Sequence, residues 1–416
     1  MKTLISLLLV SVCMFNVNAQ SGPPEPPIGK RWVINPDLSD EFNGQTLDVE
    51  KWYNYHPTWK GREPGLFMPS QVSVSDGYLQ IKGEKMEKDT IVNGKVFNIK
   101  GGAVVSKKTA LFGYFECRVK AAATTMSTTF WFSGGGGKGP NGCDSYHQEW
   151  DIQECIGRSG DFAGNFFSNG MNSNGHFWYT DCDKQRHDIR APSVKFVNKE
   201  LASNDFHVYG GWWRDAKTAS LYYDHRAPKH MKFYDAILDK PFNKPMYMRL
   251  VSETYPFPWI ELPTDEELAD DTKNTVYYDW VRSYNLVDVV ANDIDQFYEM
   301  GLNLYQESIV FPELEFELEA TDVLKIPLSY KANQHRKVYI KVSEITDRLE
   351  KKWNKKLIDK SIDVYPGYGS LEVLFNLDKK LSKSVTYIVE GLIREINGEN
   401  EPKGALDKNT LFISIK

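Results

Sequence analysis

Between Trp32 and about Tyr284, apolar and polar residues alternate in short runs interrupted by Gly, Pro, Asn and Asp, as in QVSVSDGYLQIKG, GYFECRVKA, FHVYGGWWR and ASLYYDHR. A period of two sends successive side chains to opposite faces, so each run predicts a half-buried strand. Many such strands at close spacing predict an all-β sandwich. Helical periodicity is scarce, and TDEELADDT at 264–272 reads as a short acidic helix or a surface loop. The pattern changes after YYDWVRSYNL. Residues 288–304 read as a linker with a short helix, and 305–416 return to strands rich in Lys, Glu, Val and Ile, which predict a smaller immunoglobulin-like sandwich.

The 416-residue chain is long enough for two cores. Its net charge of −6 gives no global attraction to nucleic acid or to an anionic membrane, so a polyanionic substrate would need positive charge gathered locally. The opening MKTLISLLLVSVCMFNVNAQ sets Lys2 before an apolar run ending in Val17-Asn18-Ala19. That is the pattern of an export leader over residues 1–19, leaving 20–287 as the first domain. Lipidation at Cys13 is the alternative, opposed by Val12 where such sites carry a small residue. The expected location is secreted or periplasmic, with cell-surface attachment left open. No further run is long enough to span a bilayer. Of the 5 Cys, Cys13 leaves with the leader; Cys143 and Cys182, both in polar segments, are the pair to test as a disulfide. Cys155 reads as a small buried apolar residue, and no Cys has zinc-site spacing, so no metal ligand is assigned.

The chemistry is concentrated in SYHQEWDIQECIG, residues 145–157, where Glu149, Asp151 and Glu154 put three carboxylates within six residues. Hydrolysis of a glycosidic bond with retention needs one carboxylate to attack the anomeric carbon and a second, about 5–5.5 Å away, to protonate the leaving oxygen. In an extended strand Glu149 and Asp151 share a face, while Trp150 and Ile152 turn to the layer behind. Glu154 has the wrong parity for that face unless an extra residue bulges the strand near Ile152 or Gln153, a device that re-aims side chains beside active sites. Glu149 then reads as the nucleophile, Glu154 as acid and then base. Asp151 reads as the carboxyl that orients the nucleophile and separates the group's pKa values. A solvated acidic face is the bland alternative, but three like charges on one strand repel and would destabilise a sheet that had no use for them.

On these residues the chain resembles glycoside hydrolase family 16. EWDIQE fits E-x-D-x-x-E, LSDEFNG at 38–44 is similar to the amino-terminal strand, KKTALFGYFECRVKA to the strand bordering the cleft, and YYDWVRSYNL to the closing strand. The resemblance covers about 32–287 and implies a concanavalin-like β-jelly roll with Glu149 as nucleophile, Asp151 as its assistant and Glu154 as acid/base. It implies a monomer with no cofactor required for catalysis, and it leaves room for a structural calcium on the convex face. The β-glucan hydrolases of the family carry W-P-A-x-W ahead of the catalytic strand. Here MSTTFWFSGGGG stands in that place, and HPTWKGREP at 56–64 followed by STTFWFSG looks similar to the agarase and porphyranase branch. The implied substrate is a red-algal galactan, porphyran or agarose, cut internally.

Trp59 and Trp131 are then candidate sugar-stacking platforms, and Arg62 is a candidate for a bidentate contact to sulfate. His147, His176, Trp178 and Glu253 are further candidate substrate contacts, each with a structural role as its alternative, and His187 lies near them in sequence. The Gly-rich run SGGGGKGPNGCDSYHQ lacks the Lys-Ser/Thr ending of a phosphate loop and reads as a mobile rim of the cleft. Trp212 and Trp213 alternate faces, so at most one lines the cleft. The competing functions are a carbohydrate-binding lectin on the same fold, which would not need all three carboxylates, and a β-1,3-glucanase, whose tryptophan segment is missing.

Overall fold

The computed structural model describes residues 22–224, 226–289, 307–347, 352–400 and 404–416. Among them the alternating runs assemble into sheets of eleven, ten and five strands. The ten-stranded sheet sets Arg186–Arg190, Asn169–Thr180, Ser145–Ile156, Ser127–Lys138, Met246–Ser252, Lys95–Ala110 and Trp52–Tyr53 side by side, each antiparallel to the next. Behind it the eleven-stranded sheet places His207–Trp213, Gly113–Lys120, Thr275–Asp288 and Lys30–Ile34 in order, then continues into Gly367–Asn376, Val323–Ala332 and Ser308–Val310 of the C-terminal unit.

Between these layers Phe115, Phe132, Trp150, Ile152, Trp213 and Met248 are buried in one core. Each such side chain contributes roughly 1.5–3 kcal/mol relative to exposure, before the entropy of ordering it is subtracted. Trp150 and Ile152 therefore anchor the strand Ser145–Ile156 by its rear face, which turns Glu149 and Asp151 to the front, as the parity requires. In the C-terminal unit the five-stranded sheet closes over a second core of Leu324, Ile326, Val338, Ile340, Val389 and Leu411, giving the smaller sandwich. Nearly all of the linker span 288–304, and the leader span 1–19, lie outside the described residues; Asp288 itself still ends the closing strand.

The acidic segment forms the short helix Asp265–Ala269, started by a capping box between Thr264 and Glu267. Cys143 and Cys182 are joined, and Cys117 and Cys155 are buried free thiols. Among the described residues no helix is long and apolar enough to cross a membrane. The Gly-rich run corrects an expectation. It is no loose rim but a hairpin, with strand through Lys138, a short turn, and strand again from Ser145. A Cβ at Gly136 would stand 2.4 Å from the Tyr146 carbonyl oxygen, so glycine is what allows this strand to close on its neighbour. Trp213 belongs to the inter-sheet core and Trp212 to an outer cluster with Trp32, so neither reaches the opposite sheet's front face.

Candidate active site

On the strand Ser127–Lys138, Trp131 and Thr129 are two apart and share a face. Asp151 pairs with Trp131, Gln153 with Phe130 and Glu154 with Thr129, so Ile152 is the extra residue and the bulge falls between Asp151 and Gln153. It brings Asp151 and Glu154, three apart, to one face. Gln153 is rotated into the core, where it accepts from the Asn172 N–H at 3.0 Å and donates to the Gly170 carbonyl at 3.4 Å. The Ser173 hydroxyl donates to the Ile152 carbonyl at 2.5 Å. These bonds satisfy groups that the bulge removes from the ladder.

Glu149, Asp151 and Glu154 line a cleft with two adjoining lobes of about 450 and 380 Å³. Trp59, Trp131 and Arg186 wall the first lobe, and Phe167, Trp259 and Arg190 the second. Arg62, Trp178, Tyr255 and Phe257 border both.

Burial raises the pKa of Glu149 and of Glu154, and the charge of Asp151 raises both further. Glu149 and Glu154 are shifted in the same direction by the same causes, so proton affinity alone does not separate nucleophile from acid; position and partners do. The Tyr255 hydroxyl and the Asn174 amide donate to the two oxygens of Glu154, at 2.9 and 2.5 Å. His176 lies opposite Glu149 in register, with Nε2 3.3 Å from Asp151 and Nδ1 2.7 Å from Asp188. Burial works to lower its pKa, but Asp151, Glu149 and Asp188 outweigh burial and raise it to about 10. Arg249 is buried and lowered to about 10 by that burial, while Glu149 holds it up. Its Nε donates to His56 at 3.0 Å and its guanidinium lies 4.8 Å from the Trp131 ring. Burial likewise pushes Glu253 up to about 7, against the pull of Arg62, whose Nε donates to it at 2.9 Å. Donor atoms of Glu149, Asp151 and His176 lie within 4.8 Å of one another, a spacing that suits a metal ion. His176 meets a carboxylate at each ring nitrogen, Asp188 at Nδ1 and Asp151 at Nε2, and in the imidazolium form that this surrounding favours it has no lone pair to offer an ion.

The structure thus brings together Glu149, Asp151, Glu154, Trp59, Arg62, Trp131, His176, Trp178 and Glu253. His147 is a correction: it lines neither lobe and stacks on Trp178, at 5.9 Å between ring centroids, with His176 stacked on the same indole at 5.3 Å. It supports the platform. His187 pairs with Asp181 at 2.7 Å and also lines neither lobe. Sequence reasoning missed Tyr255, Phe257 and Trp259, although aromatics at every second residue after Glu253 were a readable strand-like stripe. It missed Arg186, Asp188 and Arg190, which also recur at period two. Asn174 and Arg249 are lone polar residues whose roles depend on contacts distant in sequence, and they carry no such signal.

Residues 32–286 match the family model described as the GH16 domain of β-porphyranases A–D, and residues 309–408 match that of a porphyranase-associated domain. The chain is 53% identical to β-porphyranase D of Zobellia galactanivorans over 100% of its own length and 99% of that protein. Over 64% of its length it is 39% identical to β-porphyranase B of Phocaeicola plebeius, covering 88% of the latter. The crystal structure of a β-porphyranase from the human gut bacterium Bacteroides plebeius matches 64% of this chain and 95% of that one, with a TM-score of 0.60 and 38% identity.

Proposed function

The chain belongs to glycoside hydrolase family 16, in the group of the β-porphyranases A–D, and on that basis we propose that it cuts β-linkages inside porphyran with retention of configuration. The observation that carries the mechanism is the bulge that sets Glu149, Asp151 and Glu154 on one wall of the cleft. Glu149 attacks the anomeric carbon while Glu154 gives its proton to the leaving oxygen. Glu154 then takes a proton from the water that releases the sugar from Glu149. Once it has given its proton Glu154 is an anion, and the bonds from Tyr255 and Asn174 stabilise that state.

The positive charge that a sulfated chain demands is gathered in the lobes as Arg62, Arg186 and Arg190. Arg62 is engaged by Glu253, and Arg190 by Asp188 at 2.6 Å. Arg186 has no acidic partner among the described residues and lies 4.6 Å over the Trp178 ring, so it is better placed than Arg62 to offer an open fork to sulfate. A lectin would not need the carboxylate set, and the proteins this chain resembles include porphyranases and agarases, which leaves neither competing function favoured. The same proposal has the chain exported, on the leader-like run ending at Ala19, and acting as a single copy, since one chain supplies both lobes.

The test is digestion of porphyran, agarose, carrageenan and laminarin, with proton NMR of the first-formed product. Porphyran should be cleaved with the β-anomer appearing first, and Glu149→Gln or Glu154→Gln should lower turnover by at least about a thousandfold. Cleavage of laminarin alone, or an initial α-anomer, would overturn the proposal.

A further inference from the structure

Three carboxylates crowded into a buried cleft cannot all be ionised without an answering charge. Retention requires Glu149 to be an anion while Glu154 holds a proton, so Asp151 decides the balance. If Asp151 competes with Glu149 for a proton, the nucleophile is lost. What faces this group is therefore decisive. On the neighbouring strand Asn169–Thr180, His176 stands opposite Glu149, flanked by Asn174 and Trp178. The edge strand Arg186–Arg190 contributes Asp188 and Arg190, with Arg186 over Trp178. The catalytic strand contributes Glu149, Asp151 and Glu154, and Arg249 acts on Glu149 from the strand Met246–Ser252.

His176 is 7% exposed and has a carboxylate at each ring nitrogen, Asp151 at 3.3 Å and Asp188 at 2.7 Å. A neutral imidazole has one N–H and cannot donate to both, whereas an imidazolium has two. Asp188 is itself fixed, with Arg190 donating to its other oxygen from Nε at 2.7 Å and Nη2 at 2.6 Å. Arg190, Asp188, His176 and Asp151 thus form a row of alternating charge that ends beside the nucleophile.

We propose that His176 is a positioning residue for the hydrolysis: clamped as an imidazolium between Asp188 and Asp151, it allows Glu149 and Asp151 to be ionised together and leaves the proton of the set on Glu154. The charges balance through the first step. Before it, Glu149 and Asp151 are negative, His176 positive and Glu154 neutral. Afterwards Glu149 is a neutral ester, Glu154 has lost its proton to the leaving oxygen, and His176 with Asp151 remains a neutral pair. No group other than Glu154 has to change protonation, and its new charge meets Tyr255 and Asn174. The inference rests on Glu149 being the nucleophile.

Two measurements test it. The acid limb of kcat/KM against pH on porphyran reports ionisation of the nucleophile in the free enzyme. His176→Gln should move that limb upward by about one pH unit or more, and Asp188→Asn should move it the same way by less. A uniform drop in rate with an unmoved limb would make His176 merely structural and overturn the proposal. The second readout needs no turnover and serves also where His176→Gln fails to fold. NMR titration of His176 in the unliganded parent should show the imidazolium at pH 7 and persisting toward about 10, and Asp188→Asn should release the proton at lower pH. A neutral His176 at pH 7 in the parent would overturn the proposal outright. Full turnover in Glu149→Gln would instead fail the nucleophile assignment, whatever the NMR shows.

Discussion

Arg62 and Glu253 stand 191 residues apart and meet at 2.9 Å in the cleft wall. Each was visible in the sequence as a lone candidate for touching sugar, and nothing in a run of letters shows that they answer each other. The pairing changes what removal of Arg62 should do. Glu253 is buried and its pKa lies at about 7, above the 4.5 of an ordinary glutamate. A carboxyl raised in the folded state contributes stability that is present below the unfolded value and lost as pH rises through the folded one. Arg62→Ala removes the nearest opposing charge, so the folded value rises further and the loss continues above pH 7, where the parent's has ended. Parent and variant should differ little through this effect at pH 6, and the gap should widen by about 1–2 kcal/mol at pH 9. That figure is discounted because the Arg62 side chain is 40% exposed. Thermal melts at the two pH values check it, and adding Glu253→Gln should remove the pH dependence. An equal gap at both pH values would mean that Arg62 acts through packing on Trp59, Tyr255 and Phe257 instead.

At the level of the strand, the active site is a consequence of one surplus residue. Period-two parity made the bulge legible in advance, because two carboxylates needed on one face were separated by an odd number of positions. The neighbouring Gly-rich strand was not legible, since glycine is disfavoured in strands and common in loops. Met246–Ser252 pairs with Thr129–Ser133 ahead of the glycines, and the glycines themselves are held in the ladder by Tyr146–Gln148 of the catalytic strand, partners that sequence reasoning could not supply. The bulge depends on Gln153, whose amide replaces ladder bonds inside the core. Gln153→Leu keeps much of the volume but strands the Asn172 N–H, a cost of about 1–3 kcal/mol. It also frees Glu154 to shift, and misplacement of a reacting group by an ångström costs on the order of a hundredfold in rate. The expectation is a lower melting temperature together with a kcat loss of roughly tenfold to a hundredfold and a smaller change in KM. Unchanged kcat in a destabilised variant would show that the carboxylates are held without Gln153.

At the scale of the whole chain, composition marked two β units, but nothing in it showed that they share a sheet. Lys30–Ile34 would be an open edge of the outer layer if the first unit stood alone. Gly367–Asn376 covers it, pairing Trp32 with Tyr368 and Arg31 with Gly369, and the Gly29 N–H donates to the Ser370 carbonyl at 3.0 Å. A Cβ at Gly367 would stand 2.1 Å from the Trp32 carbonyl oxygen, so the contact depends on glycine there. Arg31 is fully buried at this seam and donates to the Pro366 carbonyl, while Tyr368 packs on the cluster of Trp32, Tyr114, Trp212 and Tyr284. Ending the chain at Val289 would strip an acceptor from a buried guanidinium and expose a strand edge, which costs stability and invites pairing between copies. The cleft, however, is built on the opposite sheet, from residues that all precede Val289. A chain of residues 20–289 should therefore melt several degrees below the parent and associate as concentration rises. The molecules that remain folded should keep kcat/KM on a soluble porphyran oligosaccharide within about twofold. Differential scanning calorimetry, sedimentation and initial rates measure the three effects. An unchanged melting temperature would show that the seam is a loose contact, and lost activity in a well-folded monomer would show that the C-terminal unit reaches the catalytic sheet through the layer between them.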